Sequence, residues 1–81
     1  MSSEQYVHSI IAPLTSTPEA LTIIKTTDDM GVLYSVHVPF NDMKVVIGKG
    51  GETAKAIRQL VRVYGMSQKQ RISIKIIEKH E

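Results

Sequence analysis

From Gln5 to Leu14 the apolar residues Tyr6, Val7, Ile10, Ile11 and Leu14 recur at i, i+1, i+4, i+5 and i+8, which is one face of a helix. Pro13 has no amide hydrogen and disfavours helix in the residue before it, so this first helix, over about residues 4–12, is expected to fray near Ile11 or Ala12. Thr15-Ser16-Thr17-Pro18 makes a turn. Ala20 to Thr27 is rich in Thr and Ile and reads as a strand. After a turn at Asp28-Asp29-Met30-Gly31, strict alternation from Val32 to Val38 places Val32, Tyr34, Val36 and Val38 on one face of a second strand, opposite Leu33, Ser35 and His37. The two strands form a hairpin.

Pro39-Phe40-Asn41 closes the hairpin, and Asn41 or Asp42 is placed to cap a short helix running through Ile47. Gly48-Lys49-Gly50-Gly51 interrupts it. From Glu52 a longer helix sets Ala54, Ile57, Val61 and Tyr64 on one face with Leu60 beside them, while Lys55, Arg58, Gln59 and Arg62 point away. Gly65 stands where a left-handed cap would end that helix. Beyond the polar Met66–Gln70 loop, Arg71 to Glu78 alternates Ile72, Ile74 and Ile76 against Ser73 and Lys75, a last strand. The order α-β-β-α-α-β, with no repeat or linker, predicts an α+β fold: a three-stranded sheet with helices packed on one face.

A chain of 81 residues has room for one domain and one small core, which excludes an enzyme built from separate cofactor and substrate domains. At 42% hydrophobic and 22% charged residues the balance is globular. No apolar run approaches the ~18 residues that span a bilayer, and Met1–Gln5 lacks the basic lead of a secretory signal, so no membrane association is expected. The absence of cysteine excludes disulfides and thiolate metal sites and makes a cytoplasmic home the expectation.

Charge is unevenly placed. Lys44 to Lys75 holds eight basic residues against Glu52 alone, a net +7, whereas Met1 to Met43 sets Lys25 against five acids, a net −4. Such asymmetry is the electrostatic footprint of a nucleic-acid binder, although surface lysines also serve solubility. The three histidines, His8, His37 and His80, are scattered and form no ligand set, so neither a metal nor a cofactor is expected. Asp28-Asp29 fits turn chemistry better than paired acid–base catalysis.

The chemistry concentrates at Val46-Ile47-Gly48-Lys49-Gly50-Gly51. A tight turn between two helices needs backbone angles that a β-carbon resists, and three glycines supply them while letting another backbone approach. The first amides of the following helix lie at its positive end, and Lys49 adds a cation at the tip. A nucleotide P-loop would need glycine at Met43 and Ser or Thr after the lysine, where Gly50 stands. A dinucleotide fingerprint would need glycine at Thr53 and a preceding strand.

The segment Val45-Val46-Ile47-Gly48-Lys49-Gly50-Gly51-Glu52-Thr53-Ala54-Lys55-Ala56-Ile57-Arg58 resembles a KH domain, and among these the small bacterial single-KH proteins of the KhpA family. The likeness covers nearly the whole chain as one KH domain, residues 1–81, with a motif-bearing core at about 20–78, and the element order matches the type II arrangement. It implies a groove for about four nucleotides of single-stranded RNA, with single-stranded DNA as an open alternative. By position, Gly48, Lys49, Gly50 and Gly51 correspond to the clamping loop and Ile47 to the aliphatic residue that walls the groove. Lys44, Lys55 and Arg58 join them from charge and helical spacing. The resemblance further implies an RNA chaperone or post-transcriptional regulator without enzymatic activity, homodimerisation, pairing with a larger KH protein of the KhpB family, and a link to cell elongation, cell shape and wall homeostasis. The competing expectation is a protein-interaction module whose RNA binding depends on a partner, with Val63 and the adjoining apolar face as the contact.

Overall fold

A computed structural model describes Met1–Lys79; His80 lies outside the described residues. The elements are α1 (Ser3–Ile11), β1 (Thr22–Asp28), β2 (Gly31–Pro39), α2 (Phe40–Ile47), α3 (Glu52–Ser67) and β3 (Ile72–Lys79), with short 3₁₀ turns at Ala12–Leu14, Pro18–Ala20 and Lys49–Gly51. This is the α+β, type II KH-like arrangement that the element order predicts.

Helix α1 begins earlier than the apolar pattern indicates because Ser2 and Gln5 form a capping box. The Gln5 amide donates to Ser2 Oγ at 3.1 Å, and the Ser2 amide donates to Gln5 Oε1 at 2.8 Å. It ends at Ile11, as Pro13 requires, and continues as a single 3₁₀ turn. Strand β1 starts two residues later than the sequence pattern places it, since Pro18–Ala20 closes a 3₁₀ turn.

The sheet order is β1-β2-β3, antiparallel between β1 and β2 and parallel between β2 and β3. Parallel pairing needs a long crossover, and α2, the glycine loop and α3 provide it. Strand β2 is central. Its alternate residues Tyr34, Val36 and Val38 are fully buried beneath the helices, against Val7, Ile11, Val46, Ile57, Val61, Ile72 and Ile74. Each such aliphatic side chain contributes about 1.5–3 kcal/mol by leaving water. Tyr34 can be buried whole because its hydroxyl bonds with Ser3 Oγ.

Two sequence expectations are corrected. Asp42 does not cap α2: the cap position is Pro39, without a side-chain bond, and Asp42 sits in the first turn, buried at 5% exposure. Its Oδ1 accepts from the Ser16 amide at 3.0 Å and the Ser16 hydroxyl at 2.9 Å, tying the α1–β1 connection to α2. Gly65 is not a left-handed cap either. It lies inside α3, where a β-carbon would come within 2.8 Å of the Gln70 carbonyl and 3.1 Å of Ile72 Cβ, so it is the absence of a side chain that lets β3 pack close. The left-handed position falls to Lys69 (φ 57°). The Gln70 amide donates to the Gly65 carbonyl at 2.8 Å and the Lys69 amide to that of Met66 at 3.1 Å, a Schellman pairing.

Candidate nucleic-acid interface

The glycine loop is built by two kinds of constraint. Gly48 ends α2 at φ 80°, its amide donating to the Lys44 carbonyl at 2.9 Å, and a β-carbon there would overlap the Thr53 side chain at the start of α3. Gly50 and Gly51 also take positive φ, 63° and 79°, but nothing lies within 4 Å of where their β-carbons would be. Gly48 therefore fixes how the two helices meet. Gly50 and Gly51 leave open space over a backbone held in the left-handed region.

Lys49 and Gly50 are exposed at the tip, Gly51 is half-buried as the cap of α3, and Ile47 is half-buried one residue before the loop. The sequence-predicted residues thus fall in three places. Gly48, Lys49, Gly50 and Gly51 form the loop, with Ile47 beside it at the end of α2. Lys55 and Arg58 are exposed on the first turns of α3 and line a cleft of ≈ 310 Å³ against β3. Lys44 is exposed on α2 but is not among the residues that line this cleft.

The cleft follows from topology. Strand β3 is a sheet edge, hydrogen-bonded to β2 on one side only, and α3 lies across the neighbouring face. Residues Lys55, Arg58, Gln59 and Arg62 wall it from the helix, and Ile72, Ser73 and Ile74 from the strand. Three cations stand on an aliphatic floor, with no acid among the lining residues. This can hold an anionic backbone along the helix while flat apolar groups rest against isoleucine. Sequence reasoning recognised Gln59 and Arg62 as outward-pointing but did not assign them to the interface. Ser73 and the two isoleucines it missed, because pairing of α3 with the β3 edge is tertiary. The alternation of Ser73 with buried isoleucines was the only signal that pointed to them.

The rest of α3 is divided. Val61 and Ile57 are core, whereas Leu60 is 49% exposed and Val63 56% exposed, so Leu60 does not join the core as its position beside the apolar face implies. Tyr64 is half-buried, its ring stacked on Tyr6 at 4.2 Å with its hydroxyl donating to the Met1 carbonyl at 2.8 Å. His8 is exposed and His37 half-buried on the open sheet face. No cluster of three metal-ligating side chains occurs among the described residues, and no helix among them is long and apolar enough to cross a membrane.

Residues 4–76 match the family model described as KhpA/KhpB, KH domain. A relative from Listeria monocytogenes named RNA-binding protein KhpA is 40% identical over 75 residues, covering 93% of this chain and 99% of its own. The protein of the same name from Bacillus subtilis is 31% identical over 75 residues, covering 93% of each chain. Among solved structures, Era from Aquifex aeolicus superposes with a TM-score of 0.63 at 16% identity. That match takes in 95% of this chain but only 30% of the Era chain, and at this identity it speaks to the fold.

Proposed function

This chain belongs to the KhpA/KhpB KH-domain family, and from that premise we propose that it is a non-enzymatic binder of single-stranded RNA. It acts as an RNA chaperone or post-transcriptional regulator that clamps the nucleic-acid backbone at Gly48–Gly51. The observation that carries the proposal is the open loop tip beside a basic cleft. Gly50 and Gly51 have free space above them, Lys49 is exposed between helices, and Lys55, Arg58 and Arg62 continue the positive track along α3. Phosphates pack against the loop backbone and Lys49. Bases lie over Ile47 and against the β3 side of the cleft at Ser73, where the strand edge offers backbone donors and acceptors. About four nucleotides fit such a site, so sequence preference is low. Lys44 contributes from outside the cleft, as a long-range charge.

The test compares labelled oligouridylate binding by the wild type and by Lys49→Asp/Gly50→Asp across a salt series. Aspartate tolerates the left-handed region, and nothing crowds Gly50, so the variant keeps its fold. An affinity reduced at least about tenfold supports the clamp, with the log affinity–log salt slope flattened by about 0.7 for each phosphate that is no longer neutralised. Equal binding by a folded variant overturns it.

A partner surface accompanies the binding site. Leu60 and Val63 are exposed one turn apart on the flank of α3 away from the cleft, which supports homodimerisation, or pairing with a larger KhpB-type protein, through this stripe. By family likeness the function belongs to control of cell elongation and wall homeostasis in the cytoplasm. If RNA is held only by an assembled pair, Leu60→Ser/Val63→Ser abolishes sedimentation as a dimer and RNA binding together. Undiminished binding by the monomeric variant places the whole site in one chain.

A further inference from the structure

The groove along α3 does not end at Arg62. A second cleft, ≈ 840 Å³, opens beyond it toward the β1–β2 turn, lined by Met30, Arg62, Met66, Lys69 and Arg71 with Ser73 at its near end. Arg62, Ile72 and Ser73 belong to both clefts, so the two are continuous. Helical spacing explains the continuity: Lys55, Gln59, Arg62 and Met66 succeed one another at i, i+4, i+7 and i+11 on one side of α3.

Three features set this cleft apart from ordinary surface. Its lining carries three cations and no acid. Met30 and Met66 are 68% and 70% exposed, two flexible, polarizable side chains held in water beside those cations; thioethers make favourable contacts with aromatic ring edges. Lys69 holds the left-handed position of the helix terminus, where glycine would be less costly, and is the single non-glycine residue with positive φ among the described residues. Neither Asp28, whose carboxylate accepts the Met30 amide at 2.7 Å, nor Asp29 is among the lining residues.

We propose that this second cleft is a subsite for RNA nucleotides beyond the four held by the glycine loop and the first cleft. Lys69 and Arg71 take the additional phosphates, and Met30 and Met66 take the faces or edges of the additional bases. The subsite rests on the backbone-clamp function proposed above and lengthens its footprint. Charge decides the occupant, since a line of cations from Lys49 to Arg71 complements a polyanion better than a folded partner of mixed charge.

Labelled oligouridylates of about four and about eight nucleotides test this by anisotropy, with circular dichroism confirming the fold of each variant. The wild type binds the longer RNA about tenfold tighter than the shorter beyond the statistical factor, as two thioether–base contacts and the added phosphate contacts together supply. Lys69→Gln/Arg71→Gln and, independently, Met30→Ser/Met66→Ser bind the shorter RNA as the wild type does and lose most of that length gain. A wild type without length gain overturns the subsite, as does a gain that neither variant reduces. Second-cleft substitutions that instead weaken self-association assign the cleft to a second copy of this chain and overturn it too. The clamp fails separately: Lys49→Asp/Gly50→Asp binding both RNAs like the wild type removes the premise, whereas its loss of both with an unaltered length ratio in the second-cleft variants removes only the subsite.

Discussion

Two stripes of α3, one residue out of phase, have opposite fates. Ala54, Ile57, Val61 and Gly65 are buried against the sheet, while the next positions, Lys55, Arg58, Arg62 and Met66, are exposed along the clefts. A rotation of 100° per residue is enough to separate the two, since neighbours in sequence never share a helix face. The inner stripe shrinks to alanine at Ala54, where the helix follows the loop, and to glycine at Gly65, where it meets the end of the Gln70 turn. The outer stripe keeps long side chains throughout. If the proposed clefts hold RNA, stability and binding are carried by interleaved positions of one element, and substitutions of adjacent residues should move one property without the other.

The largest expected effect is on the inner stripe. Ile57→Ala leaves a cavity under α3 and costs about 3 kcal/mol of unfolding free energy in urea titration, with RNA affinity of the folded protein retained. Gly65→Ala follows at about 2 kcal/mol, because its methyl meets the Gln70 carbonyl and Ile72. On the outer stripe the pattern reverses. Arg58→Gln/Arg62→Gln leaves stability within about 0.5 kcal/mol, weakens oligouridylate binding about tenfold, and flattens the salt slope by about 1.4 if each arginine neutralises one phosphate. The smallest effect has the opposite sign: Lys69→Gly relieves the left-handed strain at the end of α3 and stabilises the fold by about 1 kcal/mol, read as a raised urea midpoint at unchanged m-value. Stability losses at Arg58 and Arg62 equal to that at Ile57 would erase the distinction between the stripes.

Most of the architecture was legible because local signals agree with the global fold. Pro13 stops α1, alternation from Val32 to Val38 identifies the buried face of β2, and Gly48–Gly51 breaks the helix pair where the dihedral angles demand it. What escaped reading depended on partners distant in sequence. Asp42 looks like a cap until Ser16, 26 residues away, claims its carboxylate oxygen. Gly65 looks like a cap until β3 is seen to press on it, and Leu60 looks like core although it stands aside from the buried stripe, 49% exposed. For the candidate site, the loop could be named from its glycine motif and two of the cleft's cations, Lys55 and Arg58, from charge and helical spacing, whereas Arg62 was legible only as outward-pointing. The strand half of the cleft, Ile72, Ser73 and Ile74, could not, because it exists only once the edge of β3 lies beside the helix.

The most direct test of the account is residue-resolved. Titrating an oligouridylate of about four nucleotides into uniformly ¹⁵N-labelled protein and following amide shifts reports which surface meets RNA. RNA clamped at the glycine loop gives the largest shifts at Gly48–Gly51, smaller ones at Lys55, Arg58 and Ser73, and silence on the open sheet face at Thr22, Ile24 and Ser35. Shifts gathered on that sheet face, or on Leu60 and Val63 alone, with the glycine loop unmoved, would contradict it.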